Sequence, residues 1–307
     1  MNIARTDLVS SSRHRLQRTL GKSVEMTGIG FFTGMDVKLI MHPAEEHHGI
    51  VFQRTDLPGS PLVPANIEHT IKRERRTAVA NGEAVIELTE HLLAAFYGMQ
   101  VDNCLVQINA PELPGCDGSS RAFVDAIWTA GIVEQNAFRA CWQVDRGFRV
   151  EGEDGNGDVV ARPLSQRQLV LDYRLDYGLN SPIPTQSFQL EITPESFQNE
   201  LSFARTFVLE QDVKVLRSQG YGQRVTEKDL LVFLPNGDVL GNQLRAPDEC
   251  ARHKMLDCLG DFALLGCDLY GQFNAFRSGH RLNREVVRVL KTHQYQSSGL
   301  MGRRRIA

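Results

Sequence analysis

A chain of 307 residues, at about 150 per domain, has room for two domains. Its 34 Lys and Arg against 37 Asp and Glu leave a formal charge of −3, which excludes a chain built to coat nucleic acid or an anionic membrane. With 42% hydrophobic and 23% charged residues it can bury a sizeable core, and no apolar run reaches the ~18 residues of a membrane helix.

The residues up to about 18 are polar and basic and are expected to be mobile; they lack the apolar stretch of a secretory signal. Val37–Met41 reads as a strand ended by His42-Pro43, and Gly49–Phe52 as another, stopped by Leu57-Pro58-Gly59. A helix is predicted over Glu87–Tyr97, where Leu88, Leu92 and Phe96 recur every four residues and Gly98 suits the end. Asn103–Ile108 is a predicted strand. Arg121–Ile132 is a predicted helix with Phe123, Ile127 and Trp128 inward. Further on, Gln168–Tyr173 and Ser187–Ile192 read as strands, and Cys250 to about Gly266 and Arg281 to about His293 as helices. Gly302-Arg303-Arg304-Arg305 is a short basic tail with no interleaved aromatics, a solvated terminus rather than a nucleic-acid contact. The pattern is α+β, two consecutive units each made of a sheet backed by helices, with the join near Asn136–Gln143.

Six cysteines, Cys104, Cys116, Cys141, Cys250, Cys258 and Cys267, form no C-x-x-C pair, so free thiols and a cytoplasmic address are expected. His42, His47 and His48, with Glu45 and Glu46, read as a polar surface loop, and His14, His69 and His293 as ordinary surface residues.

Three fragments carry chemistry. In His253-Lys254-Met255-Leu256-Asp257, the histidine and aspartate are i and i+4 on a helix, close enough to meet one zinc ion, and Asp261 lies a turn further along that face. Met255, Leu259 and Phe262 form an apolar stripe on another side; a solvated His–Asp pair is the competing reading of the polar line. Glu90-His91 can supply one base and one ligand. Phe276–His280 is a glycine-loosened turn that presents a histidine before a helix. Together they offer two histidines and a carboxylate for an open zinc site, with a spare glutamate and histidine for proton transfer.

These segments resemble the UDP-3-O-acyl-N-acetylglucosamine deacetylases, zinc amidases of lipid A biosynthesis. The resemblance covers about residues 16–296. It rests on Thr27-Gly28-Ile29-Gly30 with Thr33-Gly34, Thr89–Leu92, Asn109–Pro114, Asp117-Gly118-Ser119, Ala204–Phe207, His253–Asp257 with Gly260-Asp261, and Ser278-Gly279-His280. It implies two similar α+β domains, 16–138 and 139–296, whose helix layers pack together between two sheets with the site at their junction. It also implies zinc on His91, His253 and Asp257, with iron(II) also compatible with those donors. By the same resemblance Glu90 is the general base, Thr206 the oxyanion's hydroxyl donor, His280 the general acid, and Asp261 the carboxylate that keeps it cationic. Lys254 and Phe207 are implied as substrate contacts.

The implied reaction is removal of the N-acetyl group from a UDP-linked acylated amino sugar, the committed step of lipid A biosynthesis. No nucleic-acid partner and no transmembrane segment are expected, and transient contact with a membrane surface is compatible with such a substrate. Two other readings are an amidase of the same chemistry on another N-acetylated sugar and a catalytically silent homologue that binds a nucleotide-lipid. The sequence departs from the family pattern at Phe32, where a histidine is usual, and at Gln223-Arg224-Val225-Thr226, where a Gly-Gly-Ser turn lines the acyl passage. Arg224 and Val225 are expected to narrow that passage. Val159 stands nearest to where a basic residue faces the diphosphate.

Overall fold

Alternating apolar and polar side chains set most of the strands, as half-buried sheets require. The computed structural model describes residues 15–303 apart from 154, with side chains of the last helix only as far as 293. The chain enters on β1 (Leu16–Leu20), turns through the hairpin β2 (Val24–Ile29) and β3 (Asp36–Pro43), and continues into β4 (Ile50–Arg54) and β5 (Leu62–Pro64). A small sheet of β6 (Thr70–Ile71), β7 (Ala78–Asn81) and β8 (Ala84–Glu87) leads into α1 (Glu90–Gly98), followed by β9 (Cys104–Ile108) and α2 (Arg121–Ala130). The first large sheet has the order β2-β3-β9-β4-β5, with β4 parallel to β9 and the other neighbours antiparallel. In β3 the alternation is plain: Val37, Leu39 and Met41 are buried while Asp36 and Lys38 are exposed.

β10 (Ile132–Phe138) returns antiparallel to β1, and three residues later β11 (Cys141–Gln143) lies in the other large sheet. That sheet is built from β12 (Phe148–Glu151), β13 (Asp158–Arg162), β14 (Leu169–Leu175) and β15 (Gln186–Glu191). After a single turn, α3 (Pro194–Ser196), come β16 (Phe207–Leu209), α4 (Glu210–Ser218) and β17 (Leu231–Phe233), a small parallel βαβ unit. Then follow α5 (Glu249–Phe262), β18 (Asp268–Phe276) and α6 (His280–Arg303). β18 takes the centre, in the order β12-β13-β18-β14-β15 with β11 also on β18. The architecture is α+β as expected: α2 packs on the first sheet, α5 and α6 on the second, and α1 against α5 between them. Gly260 permits that last contact, since a Cβ there would lie 2.1 Å from the Glu90 carbonyl oxygen. Among the described residues no helix is long and apolar enough to cross a membrane, and Cys104, Cys116, Cys250, Cys258 and Cys267 are free thiols.

Several expectations need correction. The chain is ordered from before residue 18: Arg15 pairs at 2.6 Å with both Asp102 and Asp268, and β1 starts at Leu16. The residues ahead of 15, His14 among them, and Arg304 and Arg305 of the basic tail lie outside the described residues. Helix α1 starts at Glu90 because Glu87 pairs in β8 and Leu88 has a φ of 61°, which no helix continues. Trp128 is 55% exposed, its indole donating to Gln198 Oε1, and Ile132 opens a strand after Gly131. His42 is on β3, held by Ser23 and Gln107, rather than in a loop. The last helix runs ten residues beyond His293.

Candidate metal centre and active-site cavity

Two helix starts and one helix interior meet at this site. Glu90 and His91 open α1, His280 opens α6, and α5 carries His253, Asp257 and Asp261 one turn apart. His91 Nε2 lies 3.7 Å, and His253 Nε2 3.3 Å, from the same oxygen, Asp257 Oδ1. Ligands about 2.0–2.2 Å from a tetrahedral ion stand about 3.3–3.6 Å from one another, so the spacing suits one metal. All three side chains are buried, which rules out the solvated His–Asp pair. Asp257 Oδ1 has no hydrogen-bond partner; such an orphan costs about 1–3 kcal/mol unless a donor or cation meets it. The donor set fits a metal ion.

Protonation favours the same assignment. Burial pushes His253 down to about 3, so its imidazole is neutral, the ligating form. Its Nδ1 lies 3.1 Å from the Ala204 carbonyl oxygen, which places the proton there and turns the Nε2 lone pair inward. Burial alone would raise Asp257, but Lys254, His253 and His280 hold it well below the usual carboxylate range. Glu90, Asp257 and His280 also converge closely enough to hold an ion. Burial opposes charge on His280, yet Asp261, Glu90 and Asp257 outweigh it and push the imidazole up to about 9. A protonated imidazole cannot ligate, so the first triad is the better site and His280 a better proton donor. Burial raises Glu90 against the pull of His280 and His91, as suits a general base.

Every site residue predicted from the sequence except Asp261 lines one cavity of about 680 Å³. Asp261 is fully buried behind His280, its Oδ2 3.0 Å from His280 Nδ1. Phe207 packs edge-on to His253, ring centroids 6.1 Å apart. Lys254 Nζ donates to Asp257 Oδ2 at 2.6 Å, leaving two N–H donors. Thr206 sits where its peptide N–H donates to Gly118 O at 2.7 Å; Gly118 has a φ of 80°, and a Cβ there would lie 2.7 Å from the Asp229 carbonyl oxygen. Beside it the buried Arg205 donates to Glu249 at 2.8 Å.

The profile of the UDP-3-O-acyl N-acetylglycosamine deacetylase family matches residues 17–292. The chain belongs to this family. It is 36% identical to the UDP-3-O-acyl-N-acetylglucosamine deacetylase of Actinobacillus succinogenes, over 91% of this chain and 90% of that one. To the enzyme of the same name from Anaeromyxobacter sp. it is 37% identical, over 89% of this chain and 87% of the relative. It is also 34% identical to the bifunctional enzyme LpxC/FabZ of Chlorobaculum tepidum, where 90% of this chain spans 64% of the longer protein.

In this deacetylase-family chain, the positions read from the sequence as departures each have a definite local setting. Phe32 lines the cavity, with the Arg76 guanidinium 3.8 Å above its ring and Tyr221 edge-on at 5.7 Å. Arg224 does not line the cavity as expected: it points away and donates to Gly34 O and Asp36 Oδ1, both at 2.8 Å. Val225 does line it, and the positive φ angles of that segment fall to Gly220 and Gly222. Val159 is fully buried in β13, facing the core. Sequence reasoning missed Thr77 and Asn283, which bond Asp261, and Arg284, which donates to Thr77. Asn283 and Arg284 stand three and four residues after His280 on α6, a helical spacing that points to them; Thr77 carries no local signal.

Proposed function

We propose that this chain hydrolyses the N-acetyl group of UDP-3-O-acyl-N-acetylglucosamine, releasing acetate, with zinc on His91, His253 and Asp257. The observation that carries the reading is the unpartnered Asp257 Oδ1 between two inward-turned imidazoles, with Glu90 and His280 on the same cavity. When bound, a zinc ion supplies Lewis acidity for activating water and polarising the amide carbonyl; iron(II) suits the same donors.

The side chains supply the rest. Glu90 takes the proton of the attacking water. Its Oε2 is held by the Thr77 peptide N–H at 3.0 Å, leaving Oε1 on the side of His280 Nε2, 3.6 Å away. Thr206, on the cavity wall, donates its hydroxyl to the developing oxyanion. His280, kept cationic by Asp261, gives its Nε2 proton to the departing amine, so that water and amide become acetate and a free amino sugar. Lys254 and Phe207 contact the substrate. The β16–α4–β17 unit gives the cavity an apolar wall, including Val208, Leu209, Val213, Leu216 and Val232, which suits the acyl chain. A division into domains 16–138 and 139–296 accords with the passage from β10, paired to β1, to β11, paired to β18, between Phe138 and Cys141.

Acetate release by purified protein from the UDP-linked acyl sugar, abolished by a chelator and restored by zinc, is the expected result. Equal turnover of a nucleotide-free N-acetyl sugar favours the broader amidase. Chelator-insensitive release overturns the metal assignment, and absence of release favours a silent binding protein.

A further inference from the structure

Thr77 precedes β7, is fully buried, and stands behind the wall of the active-site cavity rather than on it, yet each of its polar groups is committed to the site. Its peptide N–H donates to Glu90 Oε2 at 3.0 Å. Its carbonyl accepts from the peptide N–H of Thr89, at the entry to α1, at 3.2 Å. Its hydroxyl donates to Asp261 Oδ1. A hydroxyl has one proton, and the direction in which it points is decided by a second neighbour. Arg284 Nη1, which can only donate, reaches Thr77 Oγ1 at 3.3 Å and occupies a lone pair, so the proton is left for Asp261.

The consequence passes to His280. Asp261 Oδ1 is taken by Thr77, and Oδ2 accepts from Asn283 Nδ2 at 2.8 Å, so the carboxylate is held at both oxygens and cannot rotate. His280 Nδ1 lies 3.0 Å from Asp261 Oδ2 and 3.2 Å from Thr77 Oγ1, and both atoms offer it only lone pairs. Nδ1 therefore keeps its proton, and Nε2 is the nitrogen that faces Glu90, Asp257 and the cavity.

We propose that Thr77 is a positioning residue for both proton-transfer groups, its peptide N–H fixing Glu90 and its hydroxyl fixing Asp261 and, through it, the His280 ring. This rests on the deacetylase reading above. One residue thereby sets base and acid relative to each other, although Glu90 and Asp261 come from different helices.

The test is steady-state acetate release from UDP-3-O-acyl-N-acetylglucosamine by the zinc-loaded protein. Thr77→Val, nearly isosteric but without the hydroxyl, is expected to lower kcat about tenfold to a hundredfold with KM nearly unchanged and one metal per chain retained. Thr77→Ser, which restores the hydroxyl, is expected to recover activity to within about threefold. In a His280→Ala background, Thr77→Val is expected to cost little more. A wild-type kcat in Thr77→Val overturns the proposal. So does a loss shared by the serine variant, lodged in KM or metal content, or fully additive to His280→Ala, since each marks a merely structural role. If the unaltered protein releases no acetate, the deacetylase reading fails, and the positioning role with it; a wild-type rate in Thr77→Val alone leaves that reading intact.

Discussion

Replacing Gly260 by alanine tests whether the α1–α5 contact sets the catalytic geometry. The new Cβ would lie 2.1 Å from the Glu90 carbonyl oxygen, and ordinary contact begins at 3.4 Å, so the helices must part by 3.4 − 2.1 = 1.3 Å locally. The atoms met are backbone, which has no rotamer to change. Overpacking of this kind costs about 1–3 kcal/mol, and alanine returns about 1 kcal/mol of helix propensity. The net loss is about 0–2 kcal/mol, a fall in Tm of at most several degrees for a chain of this size. Activity should suffer more: Glu90 and His91 ride on the displaced end of α1, and misplacement of about 1 Å costs about 100-fold in rate. Thermal unfolding and kcat/KM for acetate release, measured on Gly260→Ala side by side, decide the matter. Near-native kcat/KM would refute the reasoning, because the helices would then part without disturbing the site.

His253→Ala should lose the tightly held metal; full metal content in a His91→Ala, His253→Ala double variant would remove the assignment. The pH profile should be a bell. Its basic limb falls as pH rises through about 9, where His280 loses the proton it must donate, and its acidic limb lies above the ordinary glutamate range because Glu90 must be ionised to act as a base. His280→Ala should abolish the basic limb, and an unchanged limb would reassign the acid. Val225→Gly should favour longer acyl chains in kcat/KM across a length series, whereas Arg224→Gly should change little, since it breaks an exposed pair worth under about 1 kcal/mol; parallel curves for both would show that Val225 does not shape the passage. Arg205→Ala should cost about 3–5 kcal/mol in denaturant unfolding by stranding the buried Glu249 carboxylate, and a loss below 1 kcal/mol would refute that.

What the sequence disclosed and what it hid divide along range. His253 and Asp257 share a turn of one helix, so periodicity alone pairs them, and Gly266, with a φ of 76°, ends the following 3-10 turn where the sequence expects a stop. Several of the strands missed, among them β1 and β11, are short and held by distant partners: β11 pairs with β18, more than a hundred residues later. Trp128 follows helical periodicity inward and yet faces out, because an indole that can reach Gln198 needs no core. Thr77 was invisible for a related reason. Nothing in Arg75-Arg76-Thr77 announces a partner 184 positions away. Family resemblance supplied the residues proposed to react, while the scaffold around them required coordinates.

The proposed ligand set also has a kinetic side. His253 and Asp257 are neighbours as soon as a single helical turn forms, but His91 is 253 − 91 = 162 residues upstream and joins them only when α1 docks on α5. Closing so long a loop is among the slower events in folding. A partly folded chain thus offers an ion two of its three donors, a weak and unselective claim. An ion that bridges α1 and α5 would stabilise the finished fold, by about 2.7 kcal/mol at a hundred times its Kd, without hastening its assembly. Loss of the ion would then leave a protein that still folds but opens more readily along the seam between α1 and α5.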